Sequence, residues 1–147
     1  MRLTFLGTGT SFGVPQIGCT CAVCTSSDPR DRRTRTGALV DVDGTTLLID
    51  TPPELRLQLI AAGRSHVDAV LYTHEHADHI NGIDDLRIFS VKQREALPVY
   101  GAPETLARLE ESFRYIFDVG VTAYEGTSKP LLIYENSEPP AKAAPDA

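Results

Sequence analysis

One short segment of the chain carries three histidines and two carboxylates in six residues, in the order His74-Glu75-His76-Ala77-Asp78-His79. Imidazole nitrogens and carboxylate oxygens are the ligands that zinc and related divalent metals take in proteins. In an extended backbone His74 and His76 lie on the same side, so both can bind one ion. After a tight turn, Asp78 and His79 can point to a second ion, about 4 Å away in typical two-metal sites. Glu75 alternates to the opposite side, which favours an exposed or supporting role for it.

A second group of potential metal ligands comes earlier, where Cys19, Cys21 and Cys24 fall within six residues. The cysteines are too close together for a disulfide framework, and an odd number of them cannot all pair. Three thiolates can surround one ion, but a closed structural zinc site needs a fourth ligand. Two interpretations stay open, a structural zinc site or three reduced thiols on a loop.

The elements that would position the histidine segment begin with strands. Arg2–Leu6 alternates polar and apolar residues and runs into a glycine-rich loop, which predicts a first strand. Gly37–Val42 and Thr46–Asp50 flank an Asp-Gly turn and predict a hairpin. After an amphipathic helix that starts near Leu55, the apolar run Val67–Tyr72 predicts a buried strand that leads directly to His74.

The chain after the histidine segment alternates between helix and strand. Apolar residues at helical spacing follow the segment, namely Ile80, Ile83, Leu86 and Phe89. Pro98–Tyr100 predicts a short strand, the stretch from Pro103 to about Phe117 predicts a helix, and Leu131–Tyr134 is a weaker strand candidate. This order predicts an α/β fold in which helices cover at least one face of the sheet.

Composition and charge limit the partners of the chain. The formal net charge is −6, so the chain as a whole does not attract nucleic acid or anionic membranes. The basic cluster Arg30, Arg32, Arg33 and Arg35 is either a solvated loop balanced by aspartates or a phosphate or RNA contact. No apolar stretch reaches the roughly 18 residues that cross a bilayer. We therefore expect no membrane partner and a cytoplasmic location.

The histidine segment matches the H-x-H-x-D-H signature of the metallo-β-lactamase superfamily, and Leu47-Leu48-Ile49-Asp50-Thr51 resembles the strand and aspartate that precede it. The opening Gly7–Pro15 and the cysteines resemble the phosphodiesterase branch that includes phosphoribosyl 1,2-cyclic phosphate phosphodiesterase and, more distantly, the tRNA 3′-processing endonucleases. The resemblance extends to about residue 135. It implies an αββα sandwich and a metal-dependent hydrolase, in which hydroxide held by two Zn²⁺ ions attacks a phosphodiester. Mn²⁺ is an alternative metal.

The resemblance also implies roles for individual residues. His74 and His76 bind the first metal, while Asp78 and His79 bind the second and belong to the catalytic site. Asp50 orients a ligating histidine, although an alternative is that it caps the turn that follows it. The three cysteines correspond to the structural zinc site of the branch.

This chain departs from the family in its second half. All four histidines precede residue 80, whereas the family supplies further histidines and a bridging aspartate later in the chain. We therefore expect only the N-terminal αβ half of the sandwich, over residues 1–135, followed by a flexible tail over residues 136–147. A half sandwich leaves apolar sheet and helix faces uncovered, which predicts a site of association.

Two hypotheses about function follow. In the first, the chain is a hydrolase of a small phosphodiester, such as a cyclic phosphate or a nucleotide, and another chain or a missing segment completes its metal site. A homo-oligomer or a complementing polypeptide would then be required. In the second, the chain is a catalytically incomplete module for metal binding or assembly. Gene truncation or splitting, completion by a partner, and loss of catalysis each account for the missing half.

Overall fold

A mixed β-sheet forms the centre of the protein in the computed structural model, which describes residues 1–118, 120–121 and 128–134. In this part of the chain the sheet has six strands in the order β1-β2-β3-β4-β5-β6. Their bounds are β1 (Arg2–Gly7), β2 (Gly37–Val42), β3 (Thr45–Ile49), β4 (Ala69–Leu71), β5 (Leu97–Tyr100) and β6 (Leu132–Tyr134). Strands β1 to β3 pair antiparallel and β3 to β6 pair parallel. The predicted strands and the hairpin are confirmed, with slightly different ends.

Helices connect the parallel strands. They are α1 (Leu55–Ala61), α2 (Ala77–Ile80), α3 (Arg87–Gln93), α4 (Pro103–Ser112) and α5 (Arg114–Phe117). Short 3₁₀ turns add Pro29–Asp31 and Ile83–Leu86. The resulting β-α-β units place the carboxyl ends of the parallel strands at one edge of the sheet, where the histidine segment follows β4.

Two predicted helices are interrupted. The apolar spacing after the histidine segment predicts helix from Ile80 onward, but the chain leaves α2 at Asn81 and passes through a 3₁₀ turn before α3. Gly82 causes the break, because its N–H donates to the Thr51 carbonyl at 2.8 Å and a Cβ there would lie 2.2 Å from the Pro52 carbonyl. The helix predicted from Pro103 to Phe117 is split at Phe113, which has φ −122° and ψ 40°.

The two faces of the sheet differ in their environment. Strand residues of one face, here called the core face, form a single buried cluster with side chains from the helices, including Leu39, Leu48, Val70, Val99, Leu59 and Leu109. The strand pairings place a second set on the opposite face, here called the outer face: Leu3, Phe5, Ala38, Val40, Leu47, Ile49, Ala69, Leu71, Pro98, Tyr100 and Ile133. All of these outer-face residues are uncharged, and most are aliphatic.

Two further expectations concern membrane-spanning helices and the C-terminal tail. No helix among the described residues is long and apolar enough to cross a membrane. The predicted tail, residues 136–147, lies outside the described residues, so the proposed boundary near residue 135 stays a prediction.

A charged cluster holds the end of the sheet that lies away from the histidines. The Asp41 carboxylate accepts hydrogen bonds from Arg64 at 3.0 and 2.5 Å, from Arg2 at 3.1 and 3.0 Å, and from the Thr46 hydroxyl at 3.0 Å. It therefore ties β1, β2 and β3 to the chain that follows α1. The hydrogen bonds from Arg64, with smaller contributions from Arg2 and Thr46, lower the pKa of Asp41 to about 2.

Replacing this carboxylate should destabilise the protein in a pH-dependent way. Because the folded pKa of Asp41 lies below the value of about 3.9 for an unfolded aspartate, its stabilising effect is complete above that value and is lost as the pH falls toward 2. We expect Asp41→Asn to lower the melting temperature by a few degrees at pH 7, with a difference that shrinks between pH 4 and pH 2. Thermal melts of both proteins across this range test it, and a pH-independent difference would contradict it.

Candidate metal centre

Asp50 links the carboxyl ends of β3 and β4. It follows β3 directly, is 2% exposed, and has a left-handed backbone with φ 61°. Its N–H donates to the Leu71 carbonyl at 2.9 Å, and its Oδ1 accepts the N–H of Thr73 at 2.8 Å. Its Oδ2 accepts the Thr73 hydroxyl at 2.8 Å and contacts Nδ1 of His79 at 2.7 Å. The loop that carries the histidines thus supplies the hydrogen-bond donors for this carboxylate, and the orienting role of Asp50 stays a prediction.

This network determines which nitrogen of two histidines is available. An ionised carboxylate accepts but cannot donate, so Nδ1 of His79 carries the proton and Nε2 keeps its lone pair. Thr73 has one hydroxyl proton, which it gives to Asp50, so its oxygen accepts the proton on Nδ1 of His74 at 2.9 Å. His74 therefore also presents Nε2 as an acceptor. Both rings are prepared to bind a cation through Nε2.

The structure brings the other predicted ligands next to these rings. The ring centroids of His74 and His79 are 4.0 Å apart, and those of His74 and His76 are 4.6 Å apart. Nε2 of His79 lies 3.3 Å from Oδ2 of Asp78. Two lone-pair acceptors at this distance repel each other unless a cation lies between them, and a proton or a metal ion meets that need. Glu75 is exposed, as the alternation predicts.

A buried threonine fixes the segment to the end of β3. Thr51 is fully buried, and its N–H donates to the His79 carbonyl at 2.7 Å. Its hydroxyl lies 3.0 Å from the Tyr72 hydroxyl and 3.2 Å from the Ile80 carbonyl. Burial raises the pKa of Tyr72, so this phenol stays neutral and acts through hydrogen bonding. These contacts place α2 against the strand end from which Asp50 projects.

The cysteines form a compact group of their own. The sulfur atoms of Cys19, Cys21 and Cys24 all lie within 4.8 Å of one another, which fits three thiolates around one ion. Among the described residues, this is the one group of three or more potential ligands that meets that distance. The N–H of Cys24 and the thiols of Cys19 and Cys24 lower the pKa of Cys21 to about 7. The N–H of Gln16 lowers the pKa of Cys24, but the thiol contacts and burial outweigh it and raise that pKa overall.

Two aspartates that follow the histidine segment are engaged elsewhere. Asp84 accepts the Tyr115 hydroxyl at 2.6 Å, and Asp118 accepts the Gly120 N–H at 2.8 Å. In the described ranges no further histidine follows His79. The histidine segment therefore supplies pairs of ligands, and the described residues do not complete them with a bridging carboxylate.

The basic cluster is partly neutralised within the chain. Arg30 pairs with Asp28 at 2.6 Å, and Arg35 pairs with Glu54. Arg32 and Arg33 are exposed. The solvated-loop interpretation thus fits Arg30, whereas Arg35 is half-buried and also donates to the Ser11 carbonyl at 2.8 Å. The phosphate or RNA interpretation stays a prediction for the other two.

Sequence reasoning missed the two threonines of the site. Thr73 and Thr51 each follow a strand and stand next to a predicted functional residue, His74 and Asp50 respectively. This position in the sequence could have indicated a role for both threonines. Apart from His74, which is adjacent to Thr73, the hydrogen-bond partners of these threonines lie 21 to 29 positions away along the chain, so the hydrogen bonds depend on the packing of the strands.

Comparison with known proteins identifies the family. Residues 45–128, more than half of the chain, match a family model described as the beta-lactamase superfamily domain. The chain belongs to the beta-lactamase superfamily. The matched residues of this superfamily chain include β3, Asp50, the whole histidine segment and α4.

Relatives of this superfamily chain share its fold over only part of their length. A crystal structure of a diphosphatase from the PhnP family is 50% identical with a TM-score of 0.75, over 78% of this chain and 46% of that one. Zn²⁺-bound PqqB from Methylobacterium extorquens is 29% identical with a TM-score of 0.64, over 76% of this chain and 40% of that one. The chain therefore has part of a metallo-β-lactamase fold and spans less than half the length of these structures.

A curated sequence relative shows the same partial coverage. The octanoyltransferase of Porphyromonas gingivalis is 45% identical over 133 residues, which are 90% of this chain and 26% of that protein. About three quarters of that protein thus have no counterpart in this superfamily chain, so its name describes a much longer polypeptide.

The hydroxyl of Thr73 should decide the tautomer of His74. We expect Thr73→Val to leave Nδ1 of His74 without its acceptor, so that the metal-free protein shows a mixture of His74 tautomers. Thr73→Ser keeps the hydroxyl and should retain the single tautomer. Two-bond ¹H–¹⁵N spectra of the imidazoles measure both states. His79 serves as the internal reference, because its own bond to Asp50 does not involve Thr73. A single unchanged His74 tautomer in the valine variant would contradict the assignment.

Proposed function

We propose that the chain is the N-terminal half of a metal-dependent hydrolase that acts on phosphodiesters. The observation that carries the proposal is the pair of imidazoles, His74 and His79, which Asp50 and Thr73 orient with Nε2 as acceptor. Imidazole nitrogens prepared in this way, beside the Asp78 carboxylate, are suited to zinc and also accept manganese. We further propose two ions, the first held by His74 and His76 and the second by Asp78 and His79.

The residues of the chain would divide the work as follows. Ions held by these residues would lower the pKa of a bound water and neutralise charge that builds on the phosphate oxygens. Asp50 accepts the proton on Nδ1 of His79. It also accepts the hydroxyl proton of Thr73, so the oxygen of Thr73 accepts the proton on Nδ1 of His74. Thr51 keeps α2 against the strand end, so His79 stays at hydrogen-bonding distance from Asp50 and Asp78 stays beside His79. No serine or cysteine nucleophile is needed for this chemistry.

The substrate class rests on the relatives and on the N-terminal segment. A structure that is 50% identical is named a diphosphatase, which supports chemistry at phosphorus over hydrolysis of a lactam or thioester. The glycine-rich loop and the cysteines carry the resemblance to phosphodiesterases. We therefore propose a small phosphodiester, such as a cyclic phosphate or a nucleotide, as substrate, and a structural zinc ion at the cysteines. We also propose a cytoplasmic location, because three reduced thiols persist there.

The described residues supply too few ligands for both proposed ions, so we propose that other groups complete the site. A second copy of the chain or a complementing polypeptide could provide them. A specific observation favours the alternative function, a module that binds metal without turnover. The cysteines are the one described group with three ligand atoms within 4.8 Å of one another, whereas the histidine segment offers pairs.

Turnover by the purified chain separates the two functions. With Zn²⁺ or Mn²⁺ present, we expect cleavage of bis(p-nitrophenyl) phosphate that rises with protein concentration faster than linearly, because completion needs another chain. Asp78→Ala should lower this rate on the order of 100-fold or more, since it removes a direct ligand. The release of p-nitrophenol measures it.

Asp84→Ala is the matched control, because Asp84 lies six positions away and bonds to Tyr115 outside the site. It should retain the activity of the unaltered chain. Metal binding without turnover at any protein concentration would overturn the phosphodiesterase proposal and favour the metal-binding module.

A further inference from the structure

A cavity of about 360 Å³ lies in the layer of helices, between α1 and the segment from Asp85 to Lys92. Small-ligand sites in proteins have volumes from about 300 Å³ upward, so the cavity has room for one small molecule. The residues that line it belong neither to the histidine segment nor to the group around Asp50. Its inner wall, Leu59 and Phe89, belongs to the buried cluster on the core face. The cavity is therefore formed by described helices and does not depend on what covers the outer face.

The lining of this cavity has an excess of positive charge. It contains four cationic side chains and one carboxylate: Arg56, Arg64, Arg87, Lys92 and Asp85. Arg56, Arg87 and Lys92 are exposed, and within the described part of the chain none of the three forms an ion pair. The chain as a whole has a net charge of −6, so its composition does not account for this local excess. A concave surface lined mainly by one sign of charge attracts small ions of the opposite sign.

Arg64 brings an already oriented guanidinium to the cavity. Its two Nη atoms donate to the Asp41 carboxylate at 3.0 and 2.5 Å, and its side chain is 20% exposed. A guanidinium has five N–H donors, so three remain after these two hydrogen bonds. Asp41 offsets the charge of Arg64, but a side chain held in this way loses little conformational freedom when it binds a ligand. Guanidinium donors match the geometry of phosphate oxygens, which favours a phosphate group as the anion.

The rest of the lining is largely apolar. Leu59 and Phe89 are buried, whereas Ile60 is 62% exposed and Ile88 is 46% exposed. Residues three and four apart lie on one face of a helix, so Arg56 stands beside Leu59 and Ile60 on α1. An inorganic phosphate ion would leave these apolar side chains in contact with water. A phosphate ester with a flat ring would use both the cationic and the apolar part of the lining.

We propose that this cavity binds a phosphate monoester that carries a flat ring, of the size of a nucleoside monophosphate. The cationic side chains bind the phosphate, and the apolar side chains contact the ring. Asp85 is suited to accept a hydrogen bond from a sugar hydroxyl of the ligand. The site holds a ligand and breaks no bond, so the proposal is independent of the proposed hydrolase activity.

Isothermal titration calorimetry of the 147-residue chain tests this proposal, with adenosine 5′-monophosphate as the probe. Adenosine and inorganic phosphate, titrated separately, represent the two parts of the probe. We expect the monophosphate to bind at least about tenfold more tightly than either part, because only it contacts both parts of the lining. Added salt should weaken its binding, since the cations that bind the phosphate are exposed.

Substitutions place the probe in the cavity. Arg56→Gln and Lys92→Gln each remove one charge from an exposed side chain, so neither should disturb the fold. Each should weaken binding of the monophosphate by about fivefold or more, because a charged hydrogen-bond donor is lost. Arg32→Gln is the matched control, since it makes the same change at an exposed arginine of the other basic cluster. It should leave the affinity unchanged. Circular dichroism of each variant confirms that the fold is retained.

Several results would overturn the proposal. Failure of the monophosphate to bind is the first. Adenosine that binds as tightly as the monophosphate would show that the cations contribute nothing, and phosphate that binds as tightly would show the same for the apolar wall. Unchanged affinity in Arg56→Gln or Lys92→Gln would place the ligand elsewhere, and an equal loss in Arg32→Gln would indicate non-specific attraction. Because the cavity shares no residue with the histidine segment, these results would leave the proposed hydrolase function untouched.

Discussion

The buried carboxylate of Asp50 is the contact on which the geometry of the histidine segment depends. It sits at the end of β3 in a left-handed conformation that few aspartates adopt, and it has almost no access to water. A buried carboxylate is costly unless donors surround it, and here all three come from Thr73 and His79. The loop after β4 and the start of α2 must therefore stay close to β3. The same hydrogen bonds that satisfy the carboxylate also leave Nε2 of both histidines available.

The described residues leave two surfaces of the protein incomplete. The chain covers less than half of the superfamily structures that it resembles. At the strand ends, the described residues offer pairs of ligands where each ion of a two-metal site commonly takes three or more. Across the sheet, the core face is closed by helices while the outer face remains apolar and accessible. A layer packed on the outer face would cover its apolar residues. It would complete the metal site only if it also carried metal ligands.

Much of the fold could be predicted from local patterns, because the hairpin turn at Asp43-Gly44 and the apolar run before His74 are short-range signals. The breaks in the helices could not be predicted in this way. Gly82 ends α2 because the backbone of Thr51 and Pro52 approaches it, and that approach exists only after folding. The ligand segment was evident from the residue types in His74–His79, whereas the orienting role of Asp50 was implied by the resemblance to the family. The hydrogen bonds from Thr73 to Asp50 and His74 were not evident, since a threonine next to a histidine does not by itself indicate such contacts. The assignment of these residues to individual metal ions stays a prediction.

We propose that the histidine segment binds metal and that the described residues supply only part of the ligands that its ions need. The most direct test is metal stoichiometry by native mass spectrometry, which assigns bound ions to a species of known mass. The cysteine contribution is removed by a variant in which Cys19, Cys21 and Cys24 are all changed to serine. We expect fewer than one tightly bound ion in the monomer of this variant, or two ions only in a larger assembly. Two tightly bound ions in the monomer would contradict it.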